Sequence, residues 1–196
     1  MTTKPTRERI LEAGLDLFGA RGIDATSLDD IARSVGVTKQ TLLYWFPSKE
    51  ELVVAVLQRV ADELVVEVGA AVRSAPHGFA RVEAAVNAVF RPAVRRPALL
   101  GLIRELNRLD TRLADAVVAK MQPLVDLAAA YMEREMDEGR LRRADPRLVL
   151  AFSYSTVVGI ASEPVVLRAV GWQPSTTSLR RLRRELLAYL RAALAP

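Results

Sequence analysis

A chain of 196 residues, 51% apolar and 26% charged, is long enough for one or two packed domains and too apolar to stay disordered. It holds no cysteine and one histidine, which excludes disulfides, thiolate metal sites and clustered imidazole ligands, so no cofactor or metal is expected. No apolar run reaches membrane-spanning length and the start MTTKPTRER lacks a signal-peptide core, so a cytoplasmic protein with no membrane partner is expected. The net charge of +5 and sequence pI of about 10.0 favour polyanionic partners.

Met1 to Pro5 reads as a polar arm carrying Lys4. A first helix, about Thr6 to Arg21, places Ile10, Leu11, Gly14, Leu17 and Phe18 on one face and ends at Gly22. After a turn over Ile23 to Thr26, Ser27 can cap a second helix in which Leu28, Ile31, Ala32 and Val35 repeat, and Gly36 stops it. Thr38 caps a third, with Val37, Leu42 and Phe46 turned inward and Lys39, Gln40, Thr41 and Tyr44 outward. Ser48 then caps a long helix with apolar rows at Leu52, Val53, Val56, Leu57, Val60 and Leu64, running to about Val72. Arg73 to Gly78 breaks the pattern and puts His77 in an exposed loop.

Further helices are expected at about Phe79 to Val94, Pro97 to Arg108, Asp110 to Asp137, Pro146 to Val170 and Thr177 to Leu194. Pro92, Pro123 and Pro164 fall inside these patterns and should kink or end them. With no convincing strand alternation and no internal repeat, the fold class is all-α with about nine helices.

Two short helices set at an angle by a turn form a helix-turn-helix, and between Ile31 and Lys49 the only charges are Arg33, Lys39 and Lys49. Thr6 to Leu52 resembles the amino-terminal domain of the TetR family of bacterial transcriptional regulators. The resemblance is carried by Leu17-Phe18, Arg21-Gly22, Ser27-Leu28, Ile31-Ala32, Gly36-Val37, Thr41-Leu42 and Phe46-Pro47-Ser48-Lys49-Glu50, held in register without a gap. Leu43 departs from it, standing where the family usually places a tyrosine, with Tyr44 and Trp45 following. The resemblance implies a three-helix DNA-binding domain over residues 1–52, joined by a long fourth helix to a helical effector-binding and dimerisation domain over 53–196. It also implies a regulator, in the first instance a repressor, that leaves a palindromic duplex operator when a small ligand binds.

Sequence is read where the outward amino-terminal part of the recognition helix enters the major groove, which points to Thr38, Lys39, Gln40 and Thr41. The Gln40 amide suits adenine, Lys39 suits guanine or a phosphate, and Thr41 offers a methyl and a hydroxyl. Thr26 and Ser27 at one helix start, Lys49 at another, and Arg33 are candidate phosphate contacts. Tyr44 and Trp45 are expected against the sugar-phosphate chain, with the edge of the small core as the alternative for Trp45.

A homodimer is expected because one reading head makes few base contacts. Ala151, Ser155 and Gly159 set small residues along one stripe, flanked by Leu148 and Phe152, and the last helix offers Leu179, Leu182, Leu186, Tyr189 and Leu190. Packing of these same stripes within the chain is the alternative. An effector pocket, as the resemblance implies, would draw on Phe90, Met121, Leu124, Tyr131, Met132, Phe152 and Tyr154, with Asn87, Ser153 or Thr156 as polar anchors for a largely apolar ligand.

Two other functions compete. A helical enzyme would rest on Glu133, Glu135, Asp137 and Glu138, which beside Arg134, Arg140 and Arg142 read as a solvated helix end. An interaction module without DNA binding is favoured only by Leu43. The arginines at 140, 142, 143 and 147, and at 180, 181, 183, 184 and 191, are read as solvated faces.

Overall fold

Apolar residues recurring every three or four positions, with a cap before and a glycine or proline after, produce helices throughout the described chain. The computed structural model describes residues 4–96, 98–106, 111–162, 168, 169, 171–173 and 175–196. Among them are nine helices and no strand: α1 Thr6–Arg21, α2 Leu28–Val35, α3 Lys39–Trp45, α4 Lys49–Ser74, α5 Phe79–Arg95, α6 Ala98–Leu106, α7 Thr111–Asp137, α8 Pro146–Ser162 and α9 Thr176–Leu194. The all-α expectation therefore holds. Pro92 lies in the last turn of α5, and α7 stays helical through Pro123. Pro164 lies outside the described residues.

The chain divides into two compact units, Met1–Ala61 with Arg96–Val118, and Asp62–Arg95 with Ala119–Pro196. In the first, Ile10, Phe18, Ile31, Leu42 and Leu52 are fully enclosed, and α6 adds Leu102 to the same core. Each such side chain contributes about 1.5–3 kcal/mol by leaving water. The approach of α6 to α1 depends on glycine. A Cβ on Gly19 would stand 2.1 Å from the Ala98 carbonyl oxygen, and one on Gly101 would stand 1.8 Å from that of Gly19.

The second unit has two apolar clusters, Tyr131, Met132, Met136, Leu141 and Leu194, and Phe90 with Leu182, Leu186 and Leu190. Between the end of α4 and the end of α7 lies a buried carboxylate. Glu135, 1% exposed, accepts from Arg140 Nε at 2.5 Å, Arg140 Nη2 at 2.7 Å and the Gly78 amide at 2.8 Å, and pairs with His77 Nδ1 at 3.1 Å. This corrects the expectation of a solvated helix end for Glu135, whereas His77 lies in the exposed loop expected of it, 62% exposed. Burial alone would raise the carboxyl, but Arg140 above all, aided by His77 and Gly78, holds it at about 2.

Candidate DNA-binding interface

Local sequence fixes the reading pair. Ser27 Oγ accepts from the Asp30 amide at 3.1 Å while the Asp30 carboxylate accepts from the Ser27 amide at 3.2 Å, a capping box that starts α2. The Ser27 hydroxyl and amide hold the Asp30 carboxyl below the ordinary aspartate range. Gly36, at φ 72° and ψ 38°, closes α2 in the left-handed conformation that a side chain would strain. Two residues later Thr38 Oγ1 accepts from the Thr41 amide at 3.1 Å and starts α3. Leu42, 0% exposed, and Phe46, 3% exposed, pin α3 into the core, so its orientation is set from below.

That pinning leaves Thr38, Lys39, Gln40 and Thr41 all exposed. Lys39 Nζ rests 2.7 Å from Asp29, with both side chains about half exposed (52% and 51%). A pair so open to water is worth about 0–1 kcal/mol, so the ammonium is easily released to a base or phosphate. Arg33 is exposed beside Asp30 at 3.3 Å. Lys49 Nζ donates to the Asp24 carbonyl at 3.2 Å, which places its charge against the turn leading into α2. Tyr44 is 79% exposed and Trp45 42% exposed, their rings edge to face at 5.3 Å. Trp45 is thus not enclosed by the small core.

Thr26 corrects the sequence reading. It is 0% exposed, and its hydroxyl donates inward to the Gly22 carbonyl at 2.8 Å and lies 3.3 Å from that of Leu17. Its amide is also taken, by the Ile23 carbonyl at 3.2 Å. No donor of Thr26 is left for a phosphate, and its role is to tie the α1–α2 turn shut.

Sequence reasoning missed the supports of the pair. Glu105 of α6 accepts from the Ile23 amide at 3.0 Å, Arg9 donates to the Val35 carbonyl at the end of α2, and the Arg7 guanidinium lies 5.3 Å from the centre of the Phe46 ring. Glu105 and Ile23 stand 82 positions apart, and no local signal links them. The Gly19 and Gly101 spacing within helical runs was the one hint of a close crossing.

The expected effector residues differ widely in burial. Phe90, 3% exposed, packs among Leu182, Leu186 and Leu190, while the Tyr131 hydroxyl is bound to the Gly78 backbone at 3.0 and 3.2 Å. Both are ordinary core. Met132 is likewise enclosed, Asn87, Met121 and Leu124 are half-buried, and Phe152, Tyr154 and Thr156 are exposed. Of the expected interface residues, Leu182, Leu186 and Leu190 are turned into their own chain against α5, which corrects their assignment to a partner. Leu179 is half-buried, whereas Leu148, Ala151, Phe152, Ser155 and Tyr189 are exposed. The surroundings of Gly159 lie outside the described residues.

A short helix capped at its start, held from below and exposed along its first turn, after a second capped helix and a glycine turn, defines a helix-turn-helix protein. Residues 10–56 match the model for bacterial regulatory proteins of the tetR family. The chain is 30% identical over 146 residues to the HTH-type transcriptional regulator RutR of Escherichia coli (strain K12), covering 72% of this chain and 66% of that one. It is 43% identical over 84 residues to the HTH-type transcriptional activator FasR of Mycolicibacterium smegmatis, covering 43% of this chain and 38% of that one. Its fold matches that of a putative transcriptional regulator from Saccharomonospora viridis in complex with choline, with a TM-score of 0.81 at 18% identity over 97% of each chain. The chain belongs to the tetR family of bacterial regulatory proteins, in which RutR is a transcriptional regulator and FasR a transcriptional activator. It spans 66% of the length of RutR.

Proposed function

We propose that the protein is a sequence-specific DNA-binding transcriptional regulator that acts as a homodimer on a palindromic operator in the cytoplasm and responds to a small molecule. The observation that carries this reading is the exposed, pinned start of α3, where Lys39, Gln40 and Thr41 project from a helix whose underside is fixed by Leu42 and Phe46. In this assignment Gln40 reads a base, Lys39 and Thr41 assist it, and Ser27, Arg33 and Lys49 hold phosphates. Tyr44 and Trp45 lie along the sugar-phosphate chain. Residues 1–52 carry the DNA-binding head, on which α6 packs, and the rest of 53–196 serves effector binding and dimerisation.

The exposed apolar side chains of α8 support pairing of two copies through Leu148, Ala151, Phe152 and Ser155, joined by Tyr189 of α9. Two heads then meet half-sites separated by about 10 bp or a multiple of it. The choline complex of the Saccharomonospora viridis protein supports a small-molecule effector. Such a ligand regulates only by preferring a conformation with weaker DNA affinity. Repression is the direction proposed, and similarity to a protein named as an activator, FasR, gives activation a specific basis as well.

The test is selection on a random duplex library at fixed salt, followed by sequencing. A motif with two spaced half-sites is expected. Gln40→Ala should relax one position, worth about 1–3 kcal/mol of discrimination, and Lys49→Ala should weaken all sequences and lower the salt slope by about 1. Recovery of no motif, with only salt-labile binding that neither substitution alters, would refute the assignment.

A further inference from the structure

The arginines of α9 do more than solvate a face. Arg180, Arg181, Arg183, Arg184 and Arg191 line one open cleft of about 740 Å³, with Leu187 and Ala188 as apolar lining and Glu83 of α5 as its one acid. We propose that this cleft binds a small molecule carrying two or more phosphate groups. The proposal goes beyond the regulator reading and does not depend on it.

The arrangement is electrostatically unfavourable when empty. Arg180 and Arg184 stand four positions apart, Arg180 and Arg183 three, and like charges at those spacings repel along a helix. They also sit toward the amino-terminal half of α9, where the helix dipole disfavours cations, and the first turn carries no acid to offset them. Arg191 pairs with Glu83 at 3.0 Å and Arg184 with its neighbour Glu185 at 3.2 Å. Among the described residues Arg180, Arg181 and Arg183 make no ion pair. A bound polyanion removes the repulsion, and guanidinium forks suit phosphate oxygens in pairs.

Placement and size favour a small ligand. At about 100° per residue, Arg180, Arg184 and Arg191 lie roughly 140–180° around α9 from Tyr189, while Arg181 and Ala188 lie roughly 80–100° from it, so a dimer centred on Tyr189 leaves the Arg180, Arg184 and Arg191 side of the cleft open. Its volume falls within the range of about 300–1,000 Å³ typical of small-molecule sites. The apolar lining at Leu187 and Ala188 suits a ligand with an apolar or aromatic part between its anionic groups.

The experiment is calorimetric titration of the full chain with tripolyphosphate at constant ionic strength, without DNA. One saturable site per chain is expected, weakened about tenfold or more in Arg180→Gln/Arg184→Gln and in Arg180→Gln alone by a smaller factor. The pair Arg142→Gln/Arg143→Gln, exposed elsewhere in the same unit, should change it less than about twofold. Absence of saturation, or equal weakening by both pairs, overturns the proposal in favour of general charge attraction. Displacement of tripolyphosphate by random-sequence duplex through the same two arginines overturns it in favour of a nucleic-acid surface. Because the readout uses no operator, its failure is separate from failure of the regulator reading.

Discussion

Replacing Gly101 by alanine tests the contact that ties α6 to the reading head. A Cβ there would stand 1.8 Å from the Gly19 carbonyl oxygen and 2.7 Å from the Gly19 carbonyl carbon. Carbon and oxygen atoms in contact across helices settle at about 3.3–3.6 Å, so the two backbones must part by about 1.5 Å. No side-chain rotation relieves the clash, because the obstacle is backbone. Leu102, 2% exposed, moves outward with α6, and the 3.0 Å bond from the Ile23 amide to Glu105 is lost. Overpacking of this kind costs about 1–3 kcal/mol and loss of a charge-assisted hydrogen bond about 1.5 kcal/mol or more. A destabilisation of about 2.5–5 kcal/mol is expected, a large part of the 5–15 kcal/mol typical of a domain. Urea unfolding followed by circular dichroism measures it as a lowered midpoint at constant slope. Gly69→Ala in α4 is the control, since its Cβ would meet only the flexible end of Arg73 at 3.1 Å and the change should stabilise by up to about 1 kcal/mol. A wild-type midpoint for Gly101→Ala would refute the close crossing.

Thr26→Val keeps the shape but removes the buried hydroxyl, and should destabilise by about 1–3 kcal/mol while leaving the salt dependence of DNA binding unchanged; a reduced salt slope would return Thr26 to the interface. Glu135 has its folded pKa lowered from 4.5 to about 2, so its contribution is present above pH 4.5 and disappears as pH falls toward 2. Glu135→Gln should therefore be less stable than the wild type at pH 7 and lose less on acidification across that window, and parallel stability curves would count against the buried ion cluster. Phe152→Lys, 59% exposed, should shift sedimentation from dimer toward monomer with little change in circular dichroism, whereas an unaltered dimer would remove α8 from the interface.

The helices were legible because each is governed by neighbours in sequence. Ser27 and Asp30, Thr38 and Thr41, and Gly36 act within a turn of themselves, so their caps and stops could be read directly and appear as hydrogen bonds. Exposure at the start of α3 followed from the same logic, since Leu42 and Phe46 had to point inward. What failed needed distance. Thr26 looks like a helix-start hydroxyl in sequence, and only the folded turn brings its oxygen to Gly22 and Leu17. Glu135 looks like one acid among several until Arg140 and the loop at Gly78 close around it. Leucines at 182, 186 and 190 form a stripe with no mark of which helix will cover them, and α5 does so through Phe90.

Covering that stripe constrains the proposed dimer. With Leu182, Leu186 and Leu190 spent inside the chain, the large apolar side chains exposed for a partner among the described residues of these two helices are Leu148, Phe152 and Tyr154 on α8 and Tyr189 on α9. A helix of 17 residues presents a strip about 25 Å long and about 10 Å wide, near 250 Å². A stable interface needs about 800 Å² from each partner. The α8 strip alone falls short by a factor of about three, so pairing of two copies must recruit the Tyr189 side of α9 as well. That side carries Glu185 and Ala192, with Arg181 four positions before Glu185 at its edge, so pairing there must leave the Arg181 guanidinium in water. The two uses proposed for α9, pairing centred on Tyr189 and anion binding centred on Arg180 and Arg184, fall on opposite sides of the helix.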